Sequence, residues 1–598
     1  MISKEDEKRF KKLGIENLLD LALILPSSYE DRRLHNHLKI NELNTVFATV
    51  KSVIETPKNI KLILYVKNLN QTLAAIIFNP KSYHKRIFQK DKEYFLIARA
   101  ESYFGQIQLI QPKVVDSVGE ILPKYKTSLQ SKTVRELMKR YLTLDSLLKE
   151  GLLEKEAKIL LSFHFPKNFI PSFEKFLDVL KFVEVFNYMR KLSKRKIHLK
   201  ASRVFKNPNP KPFINSLPFK LTGDQLKAIE DIKEDLKKSV AAKRVIMGDV
   251  GCGKTMVILA AAFMVYPFKS VLMAPTTILA EQIFFEAKKY LEHFDIKIAL
   301  VTNKSKKENL EDFDFIIGTH ALLYRELPKC DLVMVDEQHR FGTLQREMIK
   351  KLISKGDLNP HYLQFSATPI PRTLSLIESN LVDYSFIKEL PFKKDILTKI
   401  ITKKDFKDLI LHIKKESALG HQTIIVYPLV EESEAIEYLS IDEAKDFWIK
   451  NFDKVFVTHG KDREKEDILK EFRENGNILI ATTLIEVGIS LPKLTTIVIV
   501  APERMGLATL HQLRGRVSRN GLKGYCFLFT RHPKNERLRA FCETLDGFEI
   551  AKLDLKFRQS GDILKGEHQS GKSFKFFNPS EDEEIAKRAK ERIVKGVY

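Results

Sequence analysis

Short apolar runs alternate with turn-forming stretches between about residues 46 and 115. Each run is long enough for a strand and too short for an ordinary helix. The five runs are Val46–Ile54, Leu62–Val66, Leu73–Phe78, Tyr94–Ala100 and Ile107–Ile110. Five short strands without long helical periods favour a small closed barrel, and the oligonucleotide-binding fold is the commonest five-stranded form.

The pattern changes to helical periods after the predicted barrel. Apolar residues recur every three or four positions in Thr133–Leu148, and Phe173–Met189 is a second apolar helical segment. These segments predict a helical connector. The stretch 206–218 (KNPNPKPFINSLP) is rich in Pro and Asn, so we expect a linker that cannot sustain a helix.

The remainder of the chain alternates between strand and helix patterns in two blocks. The first block has strand patterns at Arg244–Met247, Ser270–Ala274, Ile298–Thr302, Phe315–Thr319, Leu332–Val335 and Tyr362–Phe365. The second has them at Thr423–Tyr427, Val455–Thr458, Ile478–Ala481, Thr496–Val500 and Tyr525–Phe529. Such alternation predicts parallel sheets covered by helices. We therefore expect an α/β multidomain protein with two tandem lobes and a cleft between them.

The predicted domains follow these changes of pattern. They are an N-terminal domain at 1–125 containing the barrel (46–115), a helical connector at 126–205, a first lobe at 206–390, a second lobe at 391–544, and a C-terminal element at 545–598.

Charge and cysteine content narrow the function classes. The 598 residues include 101 Lys and Arg against 77 Asp and Glu, which gives a formal net charge of +24. Such an excess favours an acidic partner, most often nucleic acid or an anionic membrane surface, although a merely basic enzyme remains an alternative. The four cysteines, Cys252, Cys330, Cys526 and Cys542, form no close pair, so we expect a reducing cytoplasm and no structural metal.

Neither the N-terminal segment nor the longest apolar run suggests export or membrane insertion. Met1–Lys12 is charged throughout and lacks the apolar stretch of a secretory signal. The longest uncharged apolar run, Met256–Phe268, is too short to span a bilayer. The sequence therefore predicts a cytoplasmic protein without a transmembrane segment.

The segment GDVGCGKT has the spacing of a phosphate-binding loop and lies between a predicted strand and a predicted helix. Glycines let backbone N–H groups approach phosphates, and the helix N-terminus adds positive potential. Lys254 is expected to reach the β and γ phosphates, and the Thr255 hydroxyl to ligate Mg²⁺. The predicted ATP-binding residues of this loop are Gly248, Asp249, Val250, Gly251, Cys252, Gly253, Lys254 and Thr255.

Two adjacent acids, Asp336 and Glu337, follow the predicted strand Leu332–Val335. Ligands bind at the carboxyl edge of parallel sheets, so both carboxylates are expected beside the phosphate loop. Asp336 would hold Mg²⁺, and Glu337 would orient and deprotonate the attacking water. A solvated acidic turn is the alternative interpretation.

The segment HQLRGRVSR places three arginines in the second lobe. Arg516 and Arg519 are three positions apart, so a shared helix face is expected, from which both could reach a triphosphate bound to the first lobe. A charge run is otherwise often only a solvated face. We favour the catalytic interpretation because the first lobe already carries a phosphate loop.

Longer segments extend these motifs into a family resemblance. VDEQHRFGTLQR, SATPIPRTL, ATTLIEVGISLP and GLATLHQLRGRVSR resemble the RecG family of superfamily 2 DNA helicases, as do PSSYEDR, FNPKSY and LDGFEIAKLDL outside the motor. The resemblance covers nearly the whole chain. It implies an N-terminal wedge domain with an oligonucleotide-binding fold, two RecA-like lobes, a C-terminal translocation element, and ATP and Mg²⁺ as substrate and cofactor.

The resemblance also assigns expected roles to individual residues. Gln225 falls where the family recognises adenine. Residues at DNA-backbone positions are Pro275, Thr276, Thr277, Thr319, His320, Thr482 and Thr483. Residues at coupling positions are His339, Ser366, Ala367 and Thr368. Phe78 and Tyr83 match wedge aromatics that could stack on bases, with ordinary barrel core as the alternative, and Arg558 and Gln569 flank the loop of the translocation element.

Three departures from the family pattern leave the phosphate chemistry untouched. Ser490 replaces a usual aspartate near the nucleotide sugar. Arg558 is followed by Gln559-Ser560-Gly561, not Gly-Pro-Gly, which changes the expected loop geometry of the translocation element. The resemblance also leads us to expect a shorter N-terminal helical extension than in many members, because the predicted wedge begins within the first fifty residues.

The function that these residues favour is an ATP-driven translocase on double-stranded DNA. The resemblance implies that it reverses stalled replication forks and migrates Holliday junctions in recombination and repair, with R-loops as a further substrate and 3′–5′ polarity. It also implies a monomer associated with the bacterial nucleoid, with a single-stranded DNA-binding protein as a candidate partner and no membrane partner. The alternatives are a transcription-repair coupling translocase, an RNA helicase and a non-hydrolysing junction scaffold; the intact Lys254, Asp336 and Glu337 count against the scaffold.

Overall fold

The structure, a computed structural model, describes most of the chain. The described residues are 3–196, 198–305, 309–342, 344–345, 348–349, 358–368, 370–379, 381–428, 438, 440–460, 462, 464–482, 491–518, 521–565 and 574–596, without the side chains of 85, 339, 372 and 558–565. The chain divides into two compact units, the first formed by 1–190, 574–578 and 584–598, and the second by 191–573 and 579–583. The predicted C-terminal element, 545–598, is thereby divided between the two units.

A closed five-stranded barrel is the central feature of the first unit. The strands of this unit are β1 (Ser28–Asp31), β2 (Leu43–Glu55), β3 (Asn59–Val66), β4 (Gln71–Phe78), β5 (Glu93–Tyr103), β6 (Gln106–Val114) and β7 (Ile121–Lys124). Neighbours around the barrel follow the order β2-β3-β4-β6-β5, and β1 pairs with β7 outside it. Alternate residues of β3, such as Leu62 and Leu64, are fully buried inside. All five strand predictions are confirmed.

The first unit also contains helices before, within and after the barrel sequence. They are α1 (Lys4–Leu13), α2 (Leu18–Ala22), α3 (Ser82–Ile87), α4 (Ser131–Tyr141), α5 (Leu144–Lys149), α6 (Glu154–His164) and α7 (Leu177–Lys194). The helix predicted over Thr133–Leu148 is two helices, because the Thr143 side chain accepts a hydrogen bond from the Ser146 N–H and begins a new one.

The end of the chain packs against this connector. The Glu184 carboxylate on α7 accepts hydrogen bonds from the backbone N–H groups of residues 575–577 at 2.7–2.9 Å. On the last helix, Glu583–Val594, Arg592 forms a two-pronged ion pair with Glu156 of α6. Charge-assisted bonds therefore hold the returning segment to the first unit.

The first lobe of the second unit is built on a seven-stranded parallel sheet. The strands of this lobe, of which all but β8 and β14 form the main sheet, are β8 (Lys200–Ala201), β9 (Lys243–Gly248), β10 (Ser270–Met273), β11 (Ile298–Val301), β12 (Phe315–Gly318), β13 (Leu332–Asp336), β14 (Leu358–Asn359), β15 (His361–Ser366) and β16 (Asp383–Ile387). The main sheet has the order β11-β12-β10-β13-β15-β9-β16, and β8 pairs with β14. The helices are α8 (Lys211–Ser216), α9 (Gly223–Leu236), α10 (Lys254–Val265), α11 (Thr277–Leu291) and α12 (Arg372–Glu378).

The predicted linker at 206–218 is wrong. It contains α8, with a proline in the first turn, where the missing N–H costs no helical hydrogen bond. Phe213 is fully buried in the core of the first lobe, and Leu217 lies in the same cluster. Apolar burial therefore makes this segment part of the lobe.

The second lobe carries a six-stranded parallel sheet. Its strands are β17 (Ile396–Ile401), β18 (Gln422–Val426), β19 (Val455–Thr458), β20 (Ile478–Ala481), β21 (Leu494–Val500) and β22 (Gly524–Phe529), in the order β17-β22-β21-β18-β20-β19. The helices are α13 (Phe406–Ala418), α14 (Ile441–Asn451), α15 (Lys465–Asn475), α16 (Leu507–Arg514), α17 (Glu536–Glu543) and α18 (Gly547–Lys565). Among the described helices, none combines the length and the apolar composition needed to cross a membrane.

Candidate nucleotide and nucleic-acid sites

The phosphate loop connects β9 to the N-terminus of α10, as its sequence predicts. Gly251 and Gly253 have φ values of 83° and 78°, in the left-handed region that favours glycine. The Lys254 ammonium donates to the carbonyl oxygens of Gly248 and Asp249 at 3.0 and 3.2 Å. The lysine is therefore already folded over the loop, where the N-terminus of α10 also favours anions.

Gln225 contacts the phosphate loop directly. Its Oε1 accepts from the Thr222 N–H at 2.8 Å, and its Nε2 donates to the Cys252 carbonyl at 2.8 Å. A Cβ atom on Gly253 would lie 2.3 Å from Gln225 Nε2, so a larger residue there would displace the Gln225 side chain, and the backbone conformation also favours glycine. Gln225 thus supports the loop, and adenine recognition by it stays a prediction.

The Asp336 carboxylate is buried at the carboxyl end of β13. Burial, and after it the neighbouring Glu337 charge, raise its pKa above the ordinary range, and the Lys254 charge opposes both without outweighing them. Its Oδ1 has no hydrogen-bond partner among the described residues. A buried carboxylate oxygen without a protein partner suits a divalent cation, so Asp336 fits the predicted Mg²⁺ site, and the role of Thr255, in the first turn of α10, stays a prediction.

Glu337 connects the acid pair to the next strand of the sheet. Its backbone lies in the left-handed region, with φ 49°, and its Oε1 accepts from the Ala367 N–H at 2.5 Å. The Ser366 and Thr368 hydroxyls are 2.9 Å apart in the same turn. The turn next to Glu337 therefore contains three of the expected coupling residues. The fourth, His339, lies in the turn Gln338–Arg340, and its side chain is not among the described ones.

A buried contact joins the two lobes at the phosphate loop. The imidazole Nε2 of His511, on α16, is 2.5 Å from Asp249 Oδ1, and the Lys394 ammonium is 3.7 Å from Asp249 Oδ2. Burial acts to raise the pKa of Asp249, but the hydrogen bond from His511 and the nearby positive charges outweigh it and lower that pKa below its ordinary range. The Asp249 carboxylate of the first lobe is therefore held by two residues of the second lobe.

Two further contacts join the lobes near this pair. Arg340 donates to the Gln512 side-chain oxygen at 2.7 Å, and a Cβ atom on Gly515 would lie 2.9 Å from Val250 of the phosphate loop. The motifs that contain Arg340, His511 and Gln512 were recognisable in the sequence, but no signal paired these residues. Together with Lys394, they are the site residues that sequence reasoning missed.

The helix expected to carry both candidate fingers ends too early. α16 ends at Arg514, so Arg516 follows the helix and does not share a helical face with Arg519; this expectation is wrong. Gly515 allows the chain to turn against the phosphate loop, and the Arg516 side chain is only 8% exposed. Arg516 is therefore not a solvated surface charge, whereas Arg519 lies outside the described residues.

The expected DNA-backbone segments follow the carboxyl ends of parallel strands. Pro275–Thr277 follows β10, Thr319 and His320 follow β12, and Thr482 follows β20; Thr483 lies outside the described residues. The Thr276 hydroxyl accepts from the Leu279 N–H at 3.3 Å and caps α11. Thr319 is buried and accepts from the Ala321 N–H at 3.4 Å, so its hydroxyl has a structural role.

The wedge aromatics lie on the surface of the barrel. Phe78 ends β4 and is 47% exposed, and Tyr83, on α3, is 51% exposed. The alternative of ordinary barrel core is therefore wrong for both. In the translocation element, Arg558 lies on α18 without a described side chain, and Gln569, like Ser490, is outside the described residues.

Family models match three parts of the chain. The RecG wedge domain matches residues 1–144, the DEAD/DEAH box helicase domain matches 222–377, and the helicase conserved C-terminal domain matches 402–521. These ranges contain the barrel, the phosphate loop with the acid pair, and all of α16 with Arg516.

Relatives match over nearly the full length. The ATP-dependent DNA helicase RecG of Helicobacter pylori (strain ATCC 700392 / 26695) is 44% identical over 99% of this chain and 98% of that protein. RecG of Aquifex aeolicus (strain VF5) is 33% identical over 96% of this chain and 80% of that protein. A solved structure of RecG bound to a three-way DNA junction has a TM-score of 0.56 at 29% identity, covering 100% of this chain and 84% of that one. This chain therefore belongs to the RecG family of ATP-dependent DNA helicases.

Proposed function

We propose that this protein uses ATP hydrolysis to move along double-stranded DNA and to remodel branched DNA, reversing stalled forks and migrating Holliday junctions, with R-loops as a further substrate. One observation carries the proposal: the phosphate loop, the acid pair and the second-lobe residues around Arg516 meet in one cleft. The solved structure of a RecG on a three-way junction supports a branched substrate for this chain.

The residues of the cleft divide the work of phosphoryl transfer. Lys254 binds the β and γ phosphates, and Glu337, oriented by the Ala367 N–H, accepts the proton of the attacking water. Mg²⁺, held by Thr255 and Asp336, would supply neutralisation of phosphate charge. Arg516 would stabilise the charge that develops in the transition state; this role is supported by the contact of the preceding helix residue His511 with Asp249 of the phosphate loop.

Coupling to movement follows from the contacts of the same residues. The Glu337–Ala367 bond ties the catalytic base to the turn that contains Ser366 and Thr368. The His511–Asp249 contact ties the phosphate loop to the second lobe. Alternate closing and opening of the lobes would then pass the nucleotide state to the DNA-facing segments after β10, β12 and β20.

DNA would be recognised by its phosphates and its branch, not by its sequence. Basic residues supply salt-dependent affinity, and Phe78 and Tyr83 would stack on bases where strands part. We assign His320, Pro275–Thr277 and Thr482 to backbone contacts. We further propose 3′–5′ movement by a monomer on nucleoid DNA, a single-stranded DNA-binding protein as partner, and translocation through Arg558 and Gln569 despite the altered loop.

A fork with homologous arms and labelled nascent strands tests this function. The wild-type protein with ATP should convert it to paired nascent strands and a re-annealed parental duplex. Glu337→Gln should bind the fork and form no product, whereas Glu326→Gln, an exposed carboxylate of the same lobe, should behave as wild type. ATP hydrolysis without any strand product, or equal products without ATP, would contradict the proposal.

A further inference from the structure

A buried lysine reaches the phosphate loop from outside the loop. Lys394 lies between β16 and β17, and its side chain is only 6% exposed. Its ammonium is 3.7 Å from Oδ2 of Asp249. In the same segment, the Phe392 ring lies 3.6 Å from the place that a Cβ atom on Gly251 would take. Lysine is seldom buried unless its charge is paired, so the carboxylate beside it accounts for this burial.

The carboxylate of Asp249 carries negative charge within a loop that is predicted to bind phosphates. It is buried, and its Oδ1 accepts a hydrogen bond from the Val250 N–H at 2.6 Å. Like charges repel strongly at short range where water is excluded. Without a positive partner, Asp249 would therefore oppose the binding of a triphosphate by the same loop.

The imidazole that contacts Asp249 does not cancel this charge. Burial lowers the pKa of His511, and the hydrogen bond with Asp249 opposes that shift without outweighing it, so the ring is neutral near pH 7. A neutral imidazole can donate its Nε2 proton to Asp249 but brings no positive charge. Lys254 donates to the Gly248 and Asp249 carbonyls, and the proposed function assigns its charge to the nucleotide. Lys394 thus supplies a cation that can balance Asp249.

Hydrogen bonds fix the segment that carries Lys394 at both of its ends. At the first-lobe end, the backbone N–H groups of residues 388 and 389 donate to Asp224 Oδ2 at 2.7 and 3.0 Å. At the second-lobe end, the Asp395 N–H donates to the Ser518 hydroxyl at 3.3 Å. The backbone on either side of Lys394 is therefore held, which directs its side chain to the loop.

We infer that Lys394 is a positioning residue for ATP: its ammonium balances the Asp249 charge and so keeps the phosphate loop able to accept the triphosphate. Lys394 acts through Asp249 in this account and not by contact with the nucleotide. The inference rests on the proposed function, because it takes ATP as the ligand of this loop. Removing the ammonium should therefore reduce ATP affinity and spare the chemical step.

Equilibrium binding of a non-hydrolysable ATP analogue to the full chain, together with kcat and KM for ATP, tests this role. Lys394→Met keeps an unbranched side chain and removes its charge. It should weaken analogue binding and raise KM by about tenfold, with kcat within about twofold of wild type. Lys394→Arg keeps the charge and should retain most of the affinity. Lys393→Met, at the exposed neighbouring position, is the matched control and should bind as wild type.

A second background separates charge balance from a structural role. Asp249→Asn removes the charge that Lys394 balances. In that background, Lys394→Met should change analogue binding by no more than about twofold, because neither partner is left as an unpaired buried charge. An equal loss of affinity in both backgrounds would overturn the inference and show that the ammonium acts on the nucleotide itself or on the fold.

Three other results would also count against the inference. They are unchanged analogue binding in Lys394→Met, an equal loss in Lys393→Met, and a loss in Lys394→Arg as large as that in Lys394→Met. Failure of the wild type to hydrolyse ATP in the presence of a fork would instead contradict the proposed function. Because analogue binding needs no hydrolysis, the two failures can be told apart.

Discussion

The phosphate-loop cleft and the barrel surface differ in how many of their functional side chains already have partners within the protein. In the cleft, Lys254, Gln225 and Glu337 already have protein partners at 2.5–3.2 Å. On the barrel, the aromatic rings of Phe78 and Tyr83 are about half exposed. The predicted catalytic positions thus have preorganised hydrogen bonds, whereas the rings proposed to contact DNA have surface left for a ligand to cover.

This difference has a direct mutational consequence. Truncating a cleft residue should change chemistry by orders of magnitude and disturb its neighbours. Truncating a barrel aromatic should change DNA affinity by a smaller factor and leave folding intact, because exposed residues usually contribute within about 0.5 kcal/mol to stability.

The largest effect is expected for Lys254→Ala. Removing the ammonium from the phosphates should abolish ATP turnover while fork binding persists, since the DNA-facing segments lie elsewhere on the lobes. Hydrolysis and fork affinity are measured on the same preparation, with Lys297→Ala, an exposed lysine of the first lobe, as control. Loss of fork binding as severe as the loss of turnover would erase the distinction between the two regions.

Arg516→Ala should slow hydrolysis by about 10³-fold, the scale of an arginine finger, with a smaller change in ATP binding. Single-turnover rates and nucleotide affinity separate the two effects. Arg539→Ala, an exposed arginine of the second lobe, should have no effect. Near-normal turnover in Arg516→Ala would remove this residue from the transition state and leave Arg519 as the candidate.

The interior of the first unit should respond to pH, unlike its aromatic surface. Burial lowers the pKa of His164 to about 4, and its ring contacts Tyr125 and the Ala22 carbonyl. In the unfolded chain His164 binds a proton near pH 6.5, whereas in the folded chain it stays neutral down to about pH 4. Its contribution to the free energy of unfolding is therefore fully present above pH 6.5 and is lost as the pH falls toward 4. The loss should reach about 3 kcal/mol.

Calorimetry between pH 7 and 4.5 checks this prediction. Trp448, the single tryptophan, is buried in the second lobe, so its fluorescence reports the unfolding of that lobe. A calorimetric transition without a fluorescence change can then be assigned to the first unit. His164→Gln should flatten the pH dependence of the first unit. An unchanged dependence would place its acid sensitivity in other groups.

The inter-lobe pair should show a coupling of about 0.5–3 kcal/mol in a double-mutant cycle. Asp249→Asn, His511→Asn and the double variant are compared by kcat and KM for ATP. Each single variant leaves one buried partner beside an altered neighbour. The loss of transition-state stabilisation in each single variant should therefore exceed half of the loss in the double variant. Strict additivity would show that the 2.5 Å contact does not link the lobes during turnover.

The smallest effect is expected on the barrel. Phe78→Ala should weaken fork binding by about tenfold, the scale of one base-stacking contact, without changing the unfolding temperature. Leu411→Ala, which truncates a 66% exposed apolar residue of the second lobe, is the control. A lowered unfolding temperature in Phe78→Ala would instead give this ring a packing role.

Strand periodicity and motif spacing predicted the barrel, both lobes and the phosphate loop. The strands β16 and β17 were missed because each mixes half-buried and polar residues at a sheet edge, which weakens the apolar signal. The segment around α8 was misread because proline and asparagine content outweighed the two buried residues Phe213 and Leu217. Local composition cannot reveal which apolar residue a distant core will bury.

The missed site residues have the same physical origin. Asp249 and His511 are 262 positions apart, and only the packing of the two lobes brings them together. Likewise, Gly515, the residue that follows α16, lies close against Val250 of the other lobe, and local sequence does not reveal this contact. Motifs identified which residue types carry the chemistry, whereas their pairing required the tertiary structure.

The most direct test of the central claim is ATP hydrolysis by the wild-type protein with equal concentrations of fork, four-way junction, linear duplex, single-stranded DNA and RNA. If the cleft drives a motor that is specific for branched DNA, fork and four-way junction should stimulate hydrolysis most, linear duplex less, and RNA least. Equal stimulation by linear duplex and branched DNA, or greater stimulation by RNA, would contradict the account.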